Sequence, residues 1–400
     1  MGKNQKISLS ILLMNLFIAF LGIGLVIPVL PTLMNELKIS GSTVGFLTAA
    51  FALTQLIVSP FAGKAADHFG RKIMIVLGLF IFGFSEFLFG IGKTIEVLFV
   101  SRILGGISGA FIMPAVTAFI ADITDMKTRP KALGYMSAAI STGFIVGPGI
   151  GGFLAEIGIR VPFYTAGVLG VVAAILSIVL LSEPNRQEMP MTETTAGKQS
   201  SLKKIMMPMF LIAFIVIFVS SFGLAAFESF FSLFVDHKFG FTPKDIAISI
   251  TGGAVLGALF QVVLFDKLTK WIGEISLIRW SLVLSGILLF AITHVNSYWS
   301  IMAVVFTVFI GFDLIRPAVT TYLSRIAGDD QGFVGGMNSF FTSLANVLGP
   351  IIGGQLFDVD INYPFYFGAM VVVVGFAITI FWKNPSDKKL SLKETSKYSG

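Results

Sequence analysis

The 400-residue chain has no cysteine, only three histidines, and just 12% charged residues. Without thiols there are no disulfides, thiolate metal sites or cysteine nucleophiles. So little charge excludes an ordinary soluble domain, in which about a quarter of residues are Asp, Glu, Lys or Arg. His68 and His237 fall in loops and His294 at the end of an apolar run, so proton chemistry inside such runs is left to carboxylates. No Walker-type phosphate loop is present. The basic residues are spread over short loops without stacking aromatics, which leaves nucleic-acid binding unsupported.

Hydrophobic residues make up 55% of the chain, and the mean hydropathy is +0.89. They fall into twelve runs near 20 residues long, at 8–30, 43–63, 73–92, 96–118, 133–155, 163–182, 208–233, 245–266, 275–294, 298–322, 333–356 and 363–382. About 20 residues of helix cross a ~30 Å hydrocarbon core, whereas a membrane barrel shows short alternating segments. The pattern predicts an all-α membrane protein of twelve transmembrane helices. Lys3 and Lys6 precede the first run like the start of a signal peptide, but the run is long and ends in Pro28-Val-Leu-Pro31, so an uncleaved first span is expected. With both termini cytoplasmic, twenty Lys and Arg fall on the inside and five on the outside (Lys38, Lys93, Arg160, Lys238 and Lys244). The positive-inside rule therefore predicts that orientation.

The longest polar stretch, Ser182 to Met207, divides the runs six and six and has the composition of a flexible linker. The expected organisation is a six-helix bundle at 1–182, a linker at 183–207, a second bundle at 208–385 and a cytoplasmic tail at 386–400. The halves repeat one another. Ile112-Met-Pro114-Ala-Val-Thr117 matches Ile315-Arg-Pro317-Ala-Val-Thr320, and Gly143-Phe-Ile-Val-Gly147-Pro148-Gly-Ile-Gly151-Gly152 returns as Ala345-Asn-Val-Leu-Gly349-Pro350-Ile-Ile-Gly353-Gly354. Parallel repeats of this kind are a transporter architecture with cargo bound between the halves. Gly143, Gly147 and Gly151 recur every fourth residue and predict a close helix seam bent at Pro148. Gly253-Ala-Val-Leu-Gly257 in the eighth run is the expected facing surface.

These segments, with others, resemble the major facilitator superfamily over essentially the whole chain. The fifth-span segment fits the antiporter pattern G-x(3)-G-P-x(2)-G-G. Leu21-Gly22 through Pro28-Val29-Leu30-Pro31 resembles the first-helix pattern of twelve-span drug/proton antiporters, and Leu98 through Arg102, Gly105, Gly106 and Ala110 resembles the fourth-helix pattern. Gly63-Lys-Ala-Ala-Asp67-His68-Phe-Gly70-Arg71-Lys72 resembles the loop between helices two and three, with His68 where the family more often has arginine. Phe222 through Glu228 and Gly311 through Pro317 are similar to helices seven and ten of the Bmr, Blt and NorA group of multidrug efflux pumps. The resemblance implies alternating access, a conformational latch at Asp67, Gly70 and Arg71, and coupling acids in helices seven and ten.

Each charge within a span costs on the order of 2.5–3.5 kcal/mol and needs a reason. Glu86, Arg102, Glu228, Asp313 and Arg316 are the candidates. A carboxylate facing an apolar cavity can exchange a proton near neutral pH and attract a cation when ionised. Glu228 and Asp313 are therefore the expected coupling and substrate-binding acids, with Arg102 and Arg316 assisting. An i,i+3 pair between Asp313 and Arg316 would leave Glu228 the easier proton carrier. Glu86 matches no motif and is expected to be structural. Phe144, Phe227 and Phe309 are the expected aromatic wall for flat cations, with Gln55, Asn338 and Asn346 as polar contacts. The predicted protein is not an enzyme. It is a monomeric, proton-driven exporter of amphipathic cationic drugs, quinolones included, in a bacterial cytoplasmic membrane, with no metal or cofactor beyond the proton motive force. A proton-coupled or facilitative carrier of a small metabolite such as a sugar is the alternative.

Overall fold

The computed structural model describes residues 2–125, 127–184, 207–327 and 330–382. Most of the expected linker and the whole expected tail lie outside the described residues. Twelve helices among the described residues are long and apolar enough to span a membrane. In chain order they are Asn4–Leu37, Gly41–Phe69, Arg71–Ile91, Ile95–Ile123, Arg129–Ile157, Val161–Leu180, Met209–Phe239, Pro243–Ile272, Glu274–Ala291, Tyr298–Ala327, Gln331–Val359 and Tyr363–Ile380.

Several spans outrun the apolar runs that predict them. The second, fourth, fifth and eleventh hold 29 residues each, roughly 44 Å of helix, so their ends emerge from a ~30 Å core. Apolar runs measure the hydrocarbon thickness, and polar ends extend the helix beyond it. The first span does not stop at its prolines. Helix Lys3–Val26 passes through a 3-10 turn, Ile27–Val29, into helix Leu30–Leu37. Pro28 and Pro31 each stand in the first turn of the next element, where no amide is needed. The fifth, sixth, eighth and twelfth spans also begin with proline in the first turn. Thr242 and Asp245 close a reciprocal capping box at the start of the eighth.

Within the first half the fifth span packs on the first, the fourth on the second and third, and the third on the sixth. In the second half the tenth packs on the eighth and ninth, and the seventh on the eleventh and twelfth. The second span meets the eleventh across the midline, and the fifth meets the eighth. These crossings close at the end of the bundle remote from the termini. There Asp358 accepts from the Gly41 amide (2.6 Å), the Ser42 amide (2.9 Å) and the Ser42 hydroxyl. Asn35 donates to Asp236 (2.9 Å), and Lys244 pairs with Glu156 (3.1 Å). At the other end of the same spans, a Cβ built on Gly63, Gly134, Gly335 or Gly336 meets nothing within 4 Å. Among the described residues, the polar contacts that join the halves gather at one end, and the same spans stand uncovered at these glycines at the other.

Arg279, a charge inside the ninth span absent from the expected set, is absorbed by the fold. Its guanidinium donates to the Thr379 carbonyl (2.6 Å from Nη2) and the Trp382 carbonyl (3.1 Å), holding the C-terminal end of the twelfth span.

Candidate functional site

A cavity of about 420 Å³ lies between the halves. The seventh span builds one wall with Ser221, Leu224, Glu228 and Phe231, spaced three or four apart and so on one helical face. The tenth span supplies Phe309, Phe312, Asp313 and Arg316 by the same logic. Phe144 and Pro148 of the fifth span and Ile27 of the first face them. Glu228, Asp313, Arg316, Phe144, Phe227, Phe309 and Asn346 thus converge as expected.

The aromatic wall is firmly held. Phe227 and Phe309 are buried and meet edge-on, centroids 5.8 Å apart, and Phe231 lies 5.2 Å from Phe227. Phe144 rests against Phe20 of the first span (4.9 Å). These rings offer flat apolar faces beside two carboxylates, the combination that suits an aromatic cation.

The i,i+3 pairing of Asp313 with Arg316 that the spacing allows does not form: among the described residues no ion pair links them. The Asp313 carboxylate turns into a notch on the eighth span, where Gly257 has no side chain and a Cβ would clash with Oδ2. Gly253, one turn earlier, makes room for the Phe309 ring in the same way. This overturns the expected role of Gly253 and Gly257 as the surface facing the fifth-span glycines. That surface is the first span: Cβ atoms on Gly143 and Gly147 would stand 2.7 Å from the Phe17 and Leu21 carbonyl oxygens, and one on Gly151 would enter the Leu25 carbonyl. Gly149 and Gly152, on another face of the helix, meet Thr251 and Ala247 of the eighth span. One motif therefore serves two seams, one inside its half and one across the midline.

Arg102 lies outside the cavity. It reaches Glu86 at 3.6 Å, with both side chains largely buried, and its guanidinium covers the Phe89 ring at 4.2 Å. Gln55 is also elsewhere, packed on Gly109, and Asn338 does not line the cavity. Ser141, Ser220, Ser221, Gln261 and Thr342 line it but were not expected. Helical spacing from Glu228 would have found Ser221; Gln261 and Thr342 need the three-dimensional order of the spans.

Where the second span meets the third, Arg71 at the start of the third pairs with Asp67 in the last turn of the second (2.7 Å) and with Asp122 of the fourth span (3.1 Å). Gly70 has φ +106°, a value that favours glycine. The helix beginning at Arg71 is capped by Glu183, whose two oxygens accept from the Arg71 amide (2.6 Å) and the Lys72 amide (2.8 Å). Asp67 thus takes the cation, and the amide-capping role belongs to Glu183, a residue not singled out from the sequence.

Twelve spans in two repeated halves around a central cavity, sealed at one end only, define a multi-pass membrane transporter. The sequence profile of the Major Facilitator Superfamily matches residues 12–328 and again 213–399, and the chain belongs to that superfamily. "Multidrug resistance protein 1" of Bacillus subtilis is 66% identical over 389 residues, covering 97% of this chain and all of the relative. "Multidrug resistance protein 2" of the same organism is 51% identical, covering 98% of each chain. "Quinolone resistance protein NorA" of Staphylococcus aureus is 50% identical, covering 93% of this chain and 96% of the relative. Among solved structures, the nucleoside transporter NupG superposes with TM-score 0.78 at 15% identity, covering 96% of this chain and 100% of that one. A bacterial Spinster homologue in an inward-facing, occupied conformation gives 0.77 at 16%, covering 95% and 97%. At such identities these two speak for the fold alone.

Proposed function

We propose that the chain is a proton-driven multidrug exporter of the bacterial cytoplasmic membrane, working as a monomer with both termini in the cytoplasm. Its substrates are amphipathic, aromatic and commonly cationic molecules, including quinolone-type antibiotics. The observation that carries this reading is the placement of Glu228 and Asp313 on different spans of one aromatic cavity, neither of them paired with a cation among the described residues. The names of the similar multidrug and quinolone resistance proteins support the substrate class.

The charge distribution supports the orientation: the end that bears the termini also carries Lys64, Arg71, Lys72, Lys127 and Arg129. The cavity then opens inward, ready to load from the cytoplasm. A cationic drug and a proton compete for the same acids, so protonation from outside releases the drug and resets the carrier. The cycle turns because drug and proton favour opposite states. Everted vesicles energised by respiration test this. Ethidium should accumulate, an uncoupler should abolish accumulation, and Glu228→Gln should do the same without one. Accumulation that survives the uncoupler would end the proton reading, and failure to move any cationic dye would end the substrate class.

A further inference from the structure

Glu228 and Asp313 account for a cationic substrate, but the cavity holds a third ionisable group. Arg316 is the only cation among its described lining residues, is exposed to it, and makes no ion pair or hydrogen bond with a described residue. It does not steady Asp313, which turns instead to Gly257. For a site that bound simple cations alone, an unengaged guanidinium one turn from the acid would be a handicap, since like charges repel.

The packing of the eighth on the tenth span gives Arg316 a neighbour. These spans run parallel, with Gly253 against Phe309 and Gly257 against Asp313. One further turn along each helix brings Gln261 to the level of Arg316, and both line the cavity. A planar guanidinium fork beside a side-chain amide is a donor set matched to a carboxylate. It lies one turn nearer the open end than Asp313, and Phe309 and Phe312, which precede Asp313 on the same helix, also line the cavity.

We propose that Arg316 and Gln261 form an anion subsite that accepts the carboxylate of zwitterionic aromatic substrates whose amine is held by Glu228 and Asp313. The cavity is then polarised, acidic in its depth and basic toward its mouth, and selects an aromatic molecule with opposite charges at its two ends. This deepens the proposed substrate class, resting on it for the cationic end only.

Equilibrium dialysis of the purified full chain in detergent tests the subsite without requiring proton coupling. Three probes are used: norfloxacin, a zwitterion; its methyl ester, with the carboxylate blocked; and ethidium, a cation without a carboxylate. Wild type should bind the acid at least about tenfold more tightly than the ester. Arg316→Gln should weaken norfloxacin by about tenfold while the cationic ester and ethidium bind as well as before or more tightly, since a like charge is removed; Arg316→Lys should keep most of the norfloxacin affinity. Gln261→Leu should cost norfloxacin about threefold. Equal wild-type affinity for acid and ester overturns the proposal even if the variants misfold. So does an Arg316→Gln variant that loses all three ligands alike, or none. Failure of proton coupling would appear separately, as dye efflux in vesicles that ignores an uncoupler.

Discussion

The two halves share a repeat and differ in how they use charge. Among the described lining residues, the first half gives the cavity Ile27, Ser141, Phe144, Ile145 and Pro148, none of them ionisable; the three charged groups come from the second. In the first half the charges satisfy one another: Arg102 with Glu86, Arg71 with Asp67 and Asp122, Arg160 with Glu36. The repeat localises the divergence. Where the tenth span has Asp313 and Arg316, the register through the shared Pro-Ala-Val-Thr places Ala110 and Met113 in the fourth. Duplication supplied two similar bundles. The charged site stands on two helices of the second, the seventh and the tenth, while in the first Arg102, Arg71 and Arg160 are engaged in its own packing.

The largest expected effect cuts this contrast at its root. Glu228→Gln together with Asp313→Asn should lower uphill ethidium export roughly 100-fold, since each substitution removes a charge-assisted contact in a dehydrated site. Proteoliposomes with an imposed proton gradient would measure it, and a double variant exporting near the wild-type rate would break the division between the halves. On stability, as opposed to transport, the largest expected effect is that of Glu86→Ala, which strands Arg102 without its partner and should destabilise the fold by about 3–5 kcal/mol. Thermal unfolding in detergent reads this, and Glu86→Gln combined with Arg102→Met should recover most of the loss. If Glu86→Ala left stability intact yet stopped export, the first half would be taking part in transport chemistry too.

The repeated glycines sharpen the contrast at a smaller scale. A methyl on Gly151 meets the backbone of Leu25, which cannot step aside, while one on the matching Gly353 meets the rim of the buried Phe230 ring 2.7 Å away, a side chain that can yield only by tilting against Phe357. Gly151→Ala should cost about 3 kcal/mol or more and Gly353→Ala about 1. Equal costs would mean that both copies are held with the same rigidity.

What could be read in the sequence was whatever depends on position along one helix. Phe309, Asp313 and Arg316 sit four and three residues apart, so their common face follows from helical geometry, and the acids stand out because charge is rare in the spans. Relations between helices were not legible. Two glycine stripes, at Gly143–Gly151 and Gly253–Gly257, look alike as patterns, and only the packing order shows that the second makes room for Phe309 and Asp313. Glu183 read as the start of a polar linker because its partners, the amides of Arg71 and Lys72, are over 100 residues away. Asp358 escaped for the same reason, lying 317 residues from the Gly41 amide it binds.

The smallest expected effect concerns that last contact, which joins the halves at the closed end. The Asp358 carboxylate accepts two amides and a hydroxyl at the start of the second span, where the helix dipole also favours negative charge. Asp358→Asn keeps the shape and removes the charge, so it should shift the balance toward a state open at that end by about 1 kcal/mol. Because the chain has no cysteine, one introduced at Gly45 or Thr48 of the second span would be a unique reporter. The Thr48 position is safer, since Gly45 is packed directly on the Pro350 carbonyl. Labelling of Thr48→Cys by an impermeant maleimide from outside should quicken about fivefold when Asp358→Asn is added. Glu183→Gln, at the opposite end and wholly within the first half, should leave that rate unchanged. An equal response to both would mean that the closed end is governed by the bundle as a whole and not by its own contacts.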